Sequence, residues 1–197
     1  MKKVTVILGL FSLILFLSNG CTSKNKQQKE NANLTTEEMT ILSVDQILES
    51  ADSLNGQLVT VEGVCTHICK HGGKKIFLMG TDDTKTIRIE STEKTGAFSQ
   101  NCVNSMVAVT GKLVETRIDE AYLAQWEEQL KNETAEKHGN NEAAGCASER
   151  KAQNEAPVNT IEGRIANFRE RIAAQKEKTG KEYLSFYHVE AESYKVL

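Results

Sequence analysis

Leu54-Asn55-Gly56-Gln57-Leu58-Val59-Thr60-Val61-Glu62-Gly63-Val64-Cys65-Thr66-His67-Ile68-Cys69 is the stretch on which the fold turns. Asn55-Gly56 is turn chemistry, and the residues after it are dense in Val, Thr and Ile, which suit a pleated, half-buried surface. Gln57 to Cys69 therefore reads as one long strand, with Gly63 placed to bend or bulge it. Just upstream, Ser43-Val44-Asp45-Gln46 has capping-box spacing, and Val44, Ile47 and Leu48 form one apolar stripe, which predicts a short helix from Val44 to about Ala51.

Downstream, His71-Gly72-Gly73 reads as a turn, 75–79 as a second strand, Thr81-Asp82-Asp83 as another turn, and 84–90 as a third strand with Ile87 and Ile89 on one face. A linking segment over 91–104 leads to a fourth strand at 105–117, marked by Val107, Val109 and Leu113. The fifth comes much later, at 183–189, continuing extended toward Leu197. A long bent strand after a leading helix, a three-stranded meander, a linker and two more strands is the order of an OB-fold barrel. Over residues 42–118 the chain resembles bacterial envelope OB-fold proteins, most of all from Leu54 to Gly63. The expected fold class is thus mainly β with an α insertion: a five-stranded OB-like barrel.

The insertion separates strands four and five, at about 119–179. Tyr122, Trp126 and Leu130 recur at four-residue spacing, and Val158, Ile161, Ile165, Phe168 and Ile172 alternate threes and fours like a coiled-coil seam. Two helices with one apolar stripe each predict a helical hairpin, packed on itself or on the barrel, or else an arm that docks a protein partner. Residues 139–156, rich in Asn, Ala, Glu and Gly, read as a loop between them.

The N-terminus carries a different message. Met1-Lys2-Lys3, an apolar run from Val4 to Leu17 and then Ser18-Asn19-Gly20-Cys21 have the charged, apolar and small-residue regions of a secretory signal. Gly20-Cys21 resembles the lipobox of bacterial lipoproteins, although Leu17 stands four residues before the cysteine where that family has it three before. The resemblance implies a signal peptide over 1–20, lipidation of Cys21, and a protein held to a bacterial envelope membrane by acyl chains, each buried methylene contributing about 0.8 kcal/mol. Lys24 to Asn33 is polar and without apolar period, which reads as a tether within 21–40 ahead of a domain over 41–197. The tether lacks a run of acidic residues, and a periplasm-facing location is expected.

Composition narrows the function classes. The chain has 24 basic against 27 acidic residues, and Lys2 and Lys3 would leave with the signal, so general attraction to nucleic acid is not expected. No phosphate loop, nucleophile elbow, H-E-x-x-H or EF-hand loop occurs, and no catalytic residue is assigned.

Chemistry concentrates at Cys65, His67, Cys69 and His71, spaced two apart. On a regular strand all four share a face, with neighbours roughly 6 to 7 Å apart, a spacing that suits two or three ligands of a soft or borderline metal such as zinc or copper. His71 would return through Gly72-Gly73, and Cys146 or His138 would supply a further ligand. The alternative use of the thiols is structural: Cys65, Cys69, Cys102 and Cys146 are an even number in a compartment where disulfides persist. Cys65 and Cys69 are too far apart along a flat strand to bridge each other. A redox dithiol is a third reading, weakened by spacing one residue longer than C-x-x-C, and haem attachment fails because Lys70 precedes His71. His188 is expected to be a half-exposed strand residue. The function these residues support is a lipid-anchored envelope binding protein, for a metal or, alternatively, for a protein, glycan or oligonucleotide.

Overall fold

The computed structural model describes residues 40–70, 72–136, 147–155, 158 and 160–197. Among the described residues six strands and five α-helices follow one another as β1 (Ile41–Ser43), α1 (Val44–Glu49), α2 (Ala51–Leu54), β2 (Leu58–Ile68), β3 (Lys75–Met79), β4 (Thr86–Ser91), β5 (Met106–Ile118), α3 (Glu120–Glu136), α4 (Ala147–Ala152), α5 (Ile161–Thr179) and β6 (Leu184–Val196). Five of the strands close a barrel in the order β2–β3–β4–β6–β5, with β5 returning to β2. β6 runs parallel to β4 and antiparallel to β5, and every other barrel pairing is antiparallel. This mainly β closed barrel is compatible with an OB-like fold. The three-residue β1 adds a parallel edge to β2.

Local sequence sets the elements. The Ser43 hydroxyl accepts from the Gln46 amide while the Gln46 side chain accepts from the Ser43 amide, closing the capping box that starts α1. Alternation along β2, β3 and β4 sends Val59, Val61, Ile76, Leu78, Ile87 and Ile89 inward, where they meet Val107, Val109 and Leu113 of β5, and α1 adds Val44 and Ile47 to the same core. Gly63 lies where the barrel wall meets α1. A Cβ there would stand 2.8 Å from Val44 Cγ2 and 3.0 Å from the Met79 carbonyl oxygen, so only glycine allows that approach. The bulge in β2 is elsewhere: register shifts between Cys65, opposite Leu78, and His67, opposite Phe77.

A second apolar cluster lies under the helices. Ile118, Leu123, Ile165 and Phe168 are buried, with Trp126, Leu130, Ile172 and Phe186 packed around them. Phe168 meets Phe186 edge-on at 5.9 Å, and the Arg164 guanidinium lies 5.1 Å above the Trp126 ring. Of the stripe expected on α3, Trp126 and Leu130 pack on this cluster, whereas Tyr122 is 43% exposed and its neighbour Leu123 is buried in its place.

The two-helix hairpin expected between the fourth and fifth barrel strands is not matched exactly. Three helices, α3, α4 and α5, lie between β5 and β6, and α4 falls inside the segment read as loop. That segment contains no apolar stripe, which is why its sequence gave no helical signal. Among the described residues no helix is long and apolar enough to cross a membrane.

Candidate functional site

The bulge decides what the Cys/His stretch can do. Thr66 is left unpaired, and the alternation resets across it: Cys65 points into the core while His67 points outward, stacking its ring 5.9 Å from that of Phe77. Cys65 and His67 are therefore on opposite sides of the sheet. The single face expected for Cys65, His67 and Cys69 is not formed, because one extra residue in β2 shifts the period of two. Cys69 is half-buried just beyond β2, its amide donating to the Lys75 carbonyl. His71, the fourth member, and the auxiliary candidates His138 and Cys146 lie outside the described residues, as does Cys21. Among the described residues no group of three or more His, Cys, Asp or Glu side chains is arranged to hold a metal ion.

Cys65 and Cys102 are both fully buried thiols, and Cys65, Cys69 and Cys102 are not bridged to one another. The turn carrying Cys102 packs on the strand carrying Cys65, with the Asn104 amide donating to the Cys65 carbonyl and the Cys65 amide donating to the Ser105 carbonyl. Burial, and then the nearby Cys102, pushes the Cys65 thiol up to about 11, and burial raises Cys102 as well. Thiols held protonated in an apolar core are poor nucleophiles and poor redox groups.

The outward side of the same strands is chemically richer. Register places His67, Phe77, Arg88 and His188 in one row across β2, β3, β4 and β6. Phe77 belongs to this outer row and not to the barrel core, yet it is fully buried. α4 lies across β3 and β4 here. Its Glu149 pairs with Arg88 and, at 3.6 Å, with Lys75, while Lys151 reaches Asp83 at 2.6 Å. Glu90 adds contacts to Arg88 at 3.1 Å and to Lys75 at 3.5 Å. His188, expected to be half-exposed, is buried, with a carboxylate oxygen of Glu90 on the neighbouring β4 3.8 Å from its Nε2. Its imidazole is held below the ordinary histidine range, chiefly by burial and then by Arg88, with Glu90 and Glu190 pulling the other way.

A different opening lies at the start of the domain. The strand–helix junction 41–46, Glu62–Gly63–Val64 of β2, Met79–Gly80–Thr81 and Met106 enclose a groove of about 500 Å³. Leu42, Val64, Met79 and Met106 give it an apolar floor and wall, with Ile41 and Met106 strongly exposed at its edge. Asp45 stands at the rim, its carboxylate accepting from the Thr81 amide at 2.9 Å and hydroxyl at 2.7 Å, which holds it below the usual carboxylate range. This groove went unread in the sequence; the only signal for it was a run of exposed apolar residues at 41 and 106, too far apart to be recognised before the barrel brings them together.

No protein-family model matches the chain, and comparison with curated proteins gives no match. Solved structures do give matches, among them a protein assigned as an aspartyl-tRNA synthetase from Leishmania major Friedlin, at 16% identity with a TM-score of 0.28. That likeness covers 43% of this chain and 17% of the other, and it carries no argument about ligand or activity.

Proposed function

We propose that this chain is a lipid-anchored binding module of the bacterial envelope that takes its partner in the groove between residues 41–46 and Met106. The observation that carries the reading is the groove itself: an apolar trough with a polar rim at Asp45, Gln46, Glu62 and Thr81. Concave, mostly apolar sites with a few polar groups are where ligands and partner segments bind. A photo-crosslinking residue at Met106, introduced into cells and followed by membrane fractionation, tests both parts of the proposal. The expected result is a discrete adduct in the membrane fraction, absent when the same residue replaces exposed Glu177, and release of the chain from membranes by Cys21→Ser. No adduct at Met106, or full membrane retention of the Cys21→Ser chain, overturns the proposal.

A second reading keeps zinc or copper. It rests on His67, which lies outside the core, and half-buried Cys69 two residues further on, with His71 as the natural third ligand; Cys65 has no part in it. Thiolate ligation releases protons, so affinity would fall between about pH 7 and pH 5. Metal content of the chain purified without chelator tests it, with about one equivalent expected in the parent and loss on Cys69→Ser.

A further inference from the structure

We propose that α4 is a displaceable cover and that its Glu149 occupies, from within the chain, a carboxylate-accepting face that also receives a helical segment of a partner protein presenting a carboxylate. The face is the outer side of β3 and β4 beneath α4. Arg88 and Lys75 supply the cations, and Phe77, with His67 beside it, supplies an apolar bed.

Three observations lead here. The first is how α4 is held. It is six residues long with no buried residue, whereas α5 buries Ile165 and Phe168. A helix that short does not persist in water by itself. Its ties to the barrel include three ion pairs, Glu149 to Arg88 and to Lys75, and Lys151 to Asp83. The second is the quality of the central pair. The Arg88 and Glu149 side chains are only 14% and 13% exposed, so this contact is shielded from salt while the Lys151–Asp83 pair, more than half exposed, is not. Withdrawing Glu149 leaves Arg88 and Lys75 to share the single carboxylate of Glu90, two cations for one anion, which favours a replacement carboxylate.

The third is a fixed pivot beside the cover. Directly after α4, the Arg164 guanidinium grips both carboxylate oxygens of Glu155 and donates to the Gln153 side chain at 2.7 Å, while Arg171 donates to the Gln153 carbonyl at 3.0 Å. Glu155 is almost fully buried in this contact. Asn154 between them has a positive φ of 50°, a sharp change of direction in the backbone. The chain is thus clamped to α5 at 153–155 and held to the barrel by charge at 149 and 151. α4 can leave β3 and β4 without disturbing the clamp. What it vacates fits what it was: about one and a half turns of helix presenting a carboxylate.

The test is a titration of the ¹⁵N-labelled full chain with the acetylated, amidated hexapeptide Ala-Ser-Glu-Arg-Lys-Ala, the sequence of α4, followed by amide shifts. Glu149→Ala should bind the peptide at least tenfold more tightly than the parent, with shifts confined to Lys75–Met79 and Thr86–Ser91. A peptide with Gln in place of Glu should lose at least tenfold of that affinity. Lys151→Ala, which loosens the cover without altering the accepting face, should gain about threefold and serves as the second variant if Glu149→Ala does not fold. Equal binding by Glu149→Ala and parent, equal binding of the Glu and Gln peptides, or an unchanged Lys151→Ala titration overturns the proposal. Met106 lies on β5 and not on the strands β3 and β4 that α4 covers, so the crosslink there and the peptide titration here are read out at different residues.

Discussion

His188 shows how one side chain couples the charged layer to stability. Buried on β6 between Arg88, Glu90 and Glu190, and 3.5 Å from the Thr116 hydroxyl, it is held in the neutral form. Its folded pKa is depressed, so the unfolded chain takes up a proton first as pH falls. The stability this residue contributes is complete above the ordinary histidine value and is lost as pH drops through it toward the lower folded value. Denaturant midpoints measured between pH 7.5 and 5 should therefore decline more steeply for the parent than for His188→Gln. Parallel declines would remove the histidine from the account. The Cys/His stretch, at the same scale, shows where sequence reasoning stops. Strand residues two apart share a face only while the ladder is regular, and nothing in the identity of Thr66 marks it as the unpaired position, since threonine suits a ladder position as well as a bulge.

Elements with a strong apolar period were legible from the sequence to within a few residues. β2, β3, β5 and β6 carry alternating or continuous Val, Ile and Leu, and α3 and α5 carry stripes that could only be buried against something, as Ile165 and Phe168 are. Phe168 is the centre of that second core, meeting Trp126 at 6.4 Å and Phe186 at 5.9 Å. Replacing it by alanine should cost about 3 to 5 kcal/mol in urea unfolding, the range for truncating a buried aromatic side chain. A loss under about 1 kcal/mol would mean that the helices do not depend on this cluster. Elements held by distant charge were not legible. α4 has no period of its own, and its Glu149 and Lys151 find Arg88 and Asp83 about sixty residues earlier in the chain, partners that only the folded barrel brings near. β1 is equally silent, because three residues are too few to display a period.

For the molecule as a whole, the order of the barrel strands was visible because it follows from strand length, turns and one long interruption, while the candidate sites depend on which surfaces the interruption covers. That interruption has a consequence for the timing of folding. β6 is the strand that joins β4 to β5, yet it follows three helices and stands more than sixty residues after β5. Until Leu184–Val196 has emerged from the ribosome, β4 and β5 each present an unsatisfied edge, and Phe186 is missing from the helical core. The nascent chain therefore has no closed intermediate to rest in. Closure of the barrel waits for this strand, and until it pairs the open edges of β4 and β5 are where a nascent chain is exposed to association.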